Sequence, residues 1–68
     1  MNEETRKDIR RLLKTFGIQA DETITEYLAT YPQGSPLHIR LVLQDLTDYG
    51  NSPPEAPLGF EVEGEIRR

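Results

Sequence analysis

The sequence predicts an α+β fold in which a helical hairpin packs on a two-stranded antiparallel β-hairpin, in the order ααββ. Two stretches, 37–43 and 58–66, alternate apolar and polar residues, as strands with one covered face do. The first half of the chain instead repeats apolar residues every three or four positions, which is the spacing of one helix face. With 68 residues the chain is expected to form a single small domain, which can bury only a limited core.

The first predicted helix covers about 3–16 and has an amphipathic pattern. Asn2 is a suitable N-cap, because its side-chain oxygen can accept a hydrogen bond from a free backbone N–H of the first turn. Gly17 is the expected residue just after the C-terminus, where glycine adopts the left-handed conformation without a steric cost.

The second predicted helix covers about 21–31 and begins at Asp21 or Thr23. Its end is set by Pro32, which restricts the residue before it to extended conformations. Only a few residues separate this helix from the first, so the two are expected to pack side by side as a helical hairpin.

The segment 37–43 fits two templates. As a strand it places on one face the four apolar residues Leu37, Ile39, Leu41 and Leu43. As a helix it would start at Ser35-Pro36 and end before Gly50, and the chain would be a three-helix domain with a strand-like C-terminal tail. We expect a strand, because 58–66 needs a partner and an isolated strand is not stable.

The two strands are joined by a long connection at 45–57, rich in Asp, Asn, Gly and Pro. The residues around Asp45 and Asp48 do not match the spacing of ligands in a calcium-binding loop. We expect the two side chains instead to accept hydrogen bonds from the backbone of local turns, as Asp often does. A two-stranded sheet also leaves both edges open. A homodimer that pairs one edge into a four-stranded sheet is therefore an extension of the predicted fold.

Charge is distributed unevenly along this small acidic protein, which has a net charge of −4. Residues 1–20 contain five basic and three acidic residues, whereas the remainder contains three basic and nine acidic residues. The five basic residues of the first helix fall in one sector beside its apolar face. These candidate partner-binding residues are Arg6, Lys7, Arg10, Arg11 and Lys14.

Catalytic and metal chemistry is not expected. The chain has no cysteine, a single histidine and no glycine-rich phosphate loop, so we predict no metal, no cofactor and no enzyme activity. Three glutamates share one face of the last predicted strand, and we expect them to pair with His38 and Arg40 across the sheet. They are Glu61, Glu63 and Glu65.

These observations favour a soluble, cytoplasmic, non-catalytic module that binds another protein or regulates it, with no membrane association because no apolar run could span a bilayer. The alternative is a nucleic-acid-binding protein that uses the basic face of the first helix. We do not expect nucleic-acid binding, because the domain as a whole is acidic and only one element contributes cations.

Overall fold

The computed structural model describes all 68 residues and contains one helix and one β-hairpin. Helix α1 spans Glu3–Thr30, strand β1 spans Leu37–Gln44 and strand β2 spans Gly59–Ile66. The predicted α+β class is confirmed. The chain divides into two compact units, Met1–Gly34 and Ser35–Arg68, of which the first contains the helix and the second the hairpin.

The predicted helical hairpin is wrong, because α1 is a single helix of 28 residues that runs through both predicted helices. Gly17 lies within it and does not adopt a positive φ. One glycine in a helix interior costs only about 1 kcal/mol relative to alanine, whereas starting a second helix requires a new and unfavourable nucleus. Asp21 does not begin a helix, and its carboxylate instead accepts a hydrogen bond from Thr25 Oγ1, one turn later, at 3.1 Å.

The two ends of α1 follow the predicted chemistry more closely. Asn2 is the N-cap, and its Oδ1 accepts a hydrogen bond from the Thr5 backbone N–H at 2.7 Å. At the other end Tyr31 is the C-cap and donates its backbone N–H to the Tyr27 carbonyl at 2.9 Å. Pro32 follows directly, as expected for a residue that cannot continue a helix.

The predicted strand at 37–43 is confirmed, and the three-helix alternative is wrong for this segment. β1 pairs antiparallel with β2, with Leu41 opposite Val62 and Leu37 opposite Ile66. This register places the apolar residues of both strands, except Val42, on one face of the sheet, because residues directly opposite each other point the same way.

Local side-chain hydrogen bonds shape the connection between the strands, as predicted. The Asp45 carboxylate accepts a bond from the Thr47 backbone N–H at 2.9 Å, and Asp48 accepts one from the Gly50 N–H at 2.8 Å. Gly50 has a φ of 63°, a conformation that residues with a Cβ rarely adopt. The turn therefore depends on this glycine.

Neither unit buries a side chain by itself. No apolar residue of the chain is buried, and its large apolar side chains are half-buried or exposed. Leu41 in the middle of β1 is 43% exposed, and Phe16 in the middle of α1 is 52% exposed. The apolar pattern that predicted a core therefore produces two amphipathic units, each with an exposed or half-buried apolar surface.

Candidate functional site

The apolar face of the sheet is the first candidate interaction surface. It carries seven large apolar side chains and Gly64, and no charged or polar side chain interrupts it. We call this surface the apolar sheet face; its large residues are Leu37, Ile39, Leu41, Leu43, Phe60, Val62 and Ile66. At its centre Val62 is 51% exposed, and Phe60 at one end is 58% exposed. Contiguous apolar surface of this kind marks interaction sites on soluble proteins.

On the opposite face of the sheet, charged and polar side chains of β1 contact glutamates of β2. Arg40 donates from Nε to Glu63 Oε1 at 2.8 Å, and its Nη2 lies 2.8 Å from the same oxygen. Its Nε also lies 3.1 Å from Glu61 Oε2, and His38 Nε2 lies 3.3 Å from Glu63 Oε2. The predicted pairing of the strand glutamates with His38 and Arg40 is thus observed for Glu61 and Glu63. The carboxylates of Glu61 and Glu63 therefore already have side-chain partners on the neighbouring strand.

The apolar stripe of the helix is the second candidate surface. Its members are spaced by four, three and four residues, and this set of spacings occurs twice. We call this surface the α1 stripe; it consists of Ile9, Leu13, Phe16, Ala20, Ile24, Tyr27 and Tyr31. The Tyr27 and Tyr31 rings are in contact, with centroids 5.0 Å apart. Spacing of this kind keeps the residues along one side of a straight helix.

The five predicted partner-binding residues are exposed on the N-terminal half of α1. Among them, Arg11 lies 4.0 Å from Asp8, and both side chains are 76% exposed. A contact that is so long and so exposed contributes little energy. The basic face is therefore accessible to solvent, and its role as a binding site remains a prediction.

A hydrogen-bonded pair in the connection perturbs two titrating groups. The Tyr49 hydroxyl donates to Asp45 Oδ2. Hydrogen bonds from the Thr47 side chain, the Tyr49 hydroxyl and the Thr47 backbone N–H lower the pKa of Asp45 below its ordinary 3.8. The same bond to Asp45 raises the pKa of Tyr49 above its ordinary 10.0. This pair fixes the start of the connection and lies on an exposed surface, not in a cleft.

A shallow, open depression on α1 is lined by one aliphatic side chain, one hydroxyl side chain and three carboxylates. These belong to Ile18, Thr25, Asp21, Glu22 and Glu26. No group of three or more His, Cys, Asp or Glu side chains is placed to hold a metal ion. No helix combines the length and the apolar character that crossing a bilayer requires.

Comparison with known proteins gives no match: no family model, no curated protein and no solved structure matches the chain. The function is therefore inferred from the two apolar surfaces and the charges around them. Sequence reasoning identified the apolar residues but assigned them to a core. The chain length was the available warning, because so short a chain without disulfides seldom completes a core alone.

Proposed function

We propose that the protein is a non-catalytic interaction module whose apolar sheet face binds an amphipathic helix of a partner protein. The observation that carries the proposal is the unbroken apolar face of β1 and β2, of which Leu41, Phe60 and Val62 are 43%, 58% and 51% exposed. These side chains are already about half covered, so covering the rest of each contributes about 1 kcal/mol, and a partner that fits the whole face gains from several of them.

The size of the face suits one helix. Neighbouring strands lie about 4.8 Å apart, and a helix with its side chains is about 10–12 Å across, so one helix covers two strands. Eight residues of strand extend about 27 Å, which corresponds to about 18 residues of helix. This face offers no cation to a nucleic acid, because Arg40, the one basic residue within the two strands, lies on the other face.

A photoreactive phenylalanine tests the proposal directly. Placed at Phe60 it reports on the apolar sheet face, and placed at Val42 it reports on the polar face. The two positions are matched in exposure, at 58% and 64%. We expect irradiation of cells that express the variants to link a polypeptide to position 60 and not to position 42. Equal linkage at both positions, or no polypeptide at position 60, would contradict the proposal.

Pairing of two copies along a sheet edge, which would give a four-stranded sheet, is part of the same proposal. The edge of β1 suits it better than the edge of β2. Antiparallel pairing of two β2 strands sets glutamates opposite glutamates, whereas pairing of two β1 strands about Leu41 sets Arg40 opposite Val42. The outward-pointing amides of β1 should then be protected from hydrogen exchange, and those of β2 should exchange rapidly. Protection of the β2 edge instead would contradict this assignment.

Nucleic-acid binding through the basic face of α1 is the second candidate function. The exposure of Arg6, Lys7, Arg10, Arg11 and Lys14 favours it. The net charge of −4 opposes it, because a nucleic-acid-binding domain normally gathers cations from several elements. We expect no binding of DNA or RNA at physiological salt in fluorescence anisotropy. Micromolar binding that weakens steeply with salt, and is lost in the double variant Arg10→Glu, Arg11→Glu, would make this function the better one.

A further inference from the structure

The charge along α1 reverses at its middle. Before Ala20 the helix carries five basic and three acidic residues, and after Ala20 it carries three acidic residues and no basic one. The last turn therefore has no cation next to the negative end of the helix dipole, although a cation there is normally favourable. The N-terminal half of one helix is thus complementary to the C-terminal half of another.

The α1 stripe is arranged symmetrically around the same residue. Three members precede Ala20 by four, seven and eleven residues, and three follow it at the same distances. Any regular helical stripe is close to symmetric about each of its members, so the spacing alone does not select a midpoint. Ala20 is selected because it has the smallest side chain of the stripe and lies where the net charge changes sign.

We propose that α1 pairs with α1 of a second copy, antiparallel, about a two-fold axis that passes beside Ala20. The two alanines allow close approach at the crossing point. Phe16 then faces the partner's Ile24, and Leu13 faces the partner's Tyr27. The basic half of each helix lies along the acidic half of the other, and it brings cations to the uncompensated C-terminal end.

The spacing of the stripe also fits a long contact. Its pattern repeats after eleven residues, which corresponds to about 3.67 residues per turn; this is close to the 3.6 of a straight helix, so the two helices stay in contact with a slight right-handed supercoil. From Ile9 to Tyr31 the stripe extends about 33 Å along the helix. A parallel pair would use the same stripe but would align two basic halves and two acidic halves, so charge favours the antiparallel arrangement. This pairing concerns the helix and does not depend on what covers the sheet.

Single-cysteine variants test the proposal, because the natural chain has no cysteine. The axes of helices in contact lie about 8–10 Å apart, and each Cα atom lies about 2.3 Å from its own axis. Cysteines that face each other therefore bring their Cα atoms into the range of about 4.4–6.8 Å that a disulfide spans. Under mild oxidation we expect Ala20→Cys to form a covalent dimer. Ile18→Cys is the matched control, because Ile18 is 52% exposed but points away from the stripe, and it should remain monomeric.

Mixing two further variants determines the direction. Phe16→Cys and Ile24→Cys should each dimerise poorly alone and should link to each other when mixed. Strong homodimers of both variants would establish a parallel pair and overturn the proposal, as would equal cross-linking of Ala20→Cys and Ile18→Cys. If polypeptide capture at Phe60 succeeds while Ala20→Cys fails to cross-link, the helix proposal alone is wrong.

Discussion

Gly17 lies in the middle of α1, although glycine is most often found just after a helix ends. A Cβ at this position would meet no atom within 4 Å, and the backbone φ is not positive. The glycine is therefore neither required by the conformation nor by close packing. Sequence preference predicts a helix end at Gly17 because glycine is common there, whereas a helix can tolerate one unfavourable residue in its interior.

We predict that Gly17→Ala raises the free energy of unfolding by about 0.5–1 kcal/mol, because alanine loses less conformational freedom in a helix. Thermal denaturation followed by far-ultraviolet circular dichroism measures the effect. Gly50→Ala is the control and should be destabilising, since Gly50 has a φ of 63°. If Gly17→Ala is the destabilising change, the helix ends at Gly17 and the single helix is wrong.

The Asp45–Tyr49 pair predicts a pH response at both extremes. The pKa of Asp45 is lowered, so the stability that its hydrogen bonds contribute is present above pH 3.8 and is lost as the pH falls through the folded-state pKa. The pKa of Tyr49 is raised, so its contribution is present below pH 10.0 and is lost as the pH rises through the folded-state value.

Ultraviolet titration of the Tyr49 phenol tests this pair in a chain that carries Tyr27→Phe and Tyr31→Phe. We expect its pKa to lie above 10.0 and to fall toward that value in Asp45→Asn, because the charged acceptor is removed. An unchanged titration curve would mean that the hydroxyl does not bind Asp45 in solution.

At the level of the elements, the β-hairpin could be predicted and the helix could be predicted only in part. The alternation in β1 predicted which face is apolar, but a shift of two residues keeps the same faces, so it did not determine that Leu41 pairs with Val62. The same alternation predicted the contacts of Arg40 with the strand glutamates. In the helix, apolar spacing continues through residues 17–20 without a break in phase, and that continuity outweighs the glycine.

We predict that Arg40→Gln destabilises the hairpin by about 1 kcal/mol or less, because the pairs of Arg40 with Glu61 and Glu63 are more than two-fifths exposed. The loss should shrink at high salt, where exposed ion pairs are screened. Denaturant unfolding at two salt concentrations provides the measurement. Val42→Gln on the same face is the control, and its effect on the free energy of unfolding should not depend on salt. If the loss in Arg40→Gln is also independent of salt, the ion pairs do not stabilise the hairpin.

At the level of the whole molecule, the sequence predicted which side of each element is apolar but not what covers that side. Periodicity reports the side of an element on which Leu41 or Phe16 lies, and it carries no information about the chain that packs against that side. The sequence predicts a binding site on the basic face from five residues of one helix, and in the proposed pair the partner of that face is the acidic half that follows Ala20. That relation becomes visible only when both halves belong to one continuous helix.

The central claim is that a second copy of the chain buries part of the apolar surface that neither unit buries alone. The most direct test is the unfolding midpoint of the natural chain, measured over a wide range of chain concentrations. Association stabilises the folded state by mass action. Each tenfold increase in chain concentration should therefore raise the free energy of unfolding, by at most about 1.4 kcal/mol, and should raise the midpoint. A midpoint that stays constant over the whole range would show that the chain is stable without a second copy and would contradict the account.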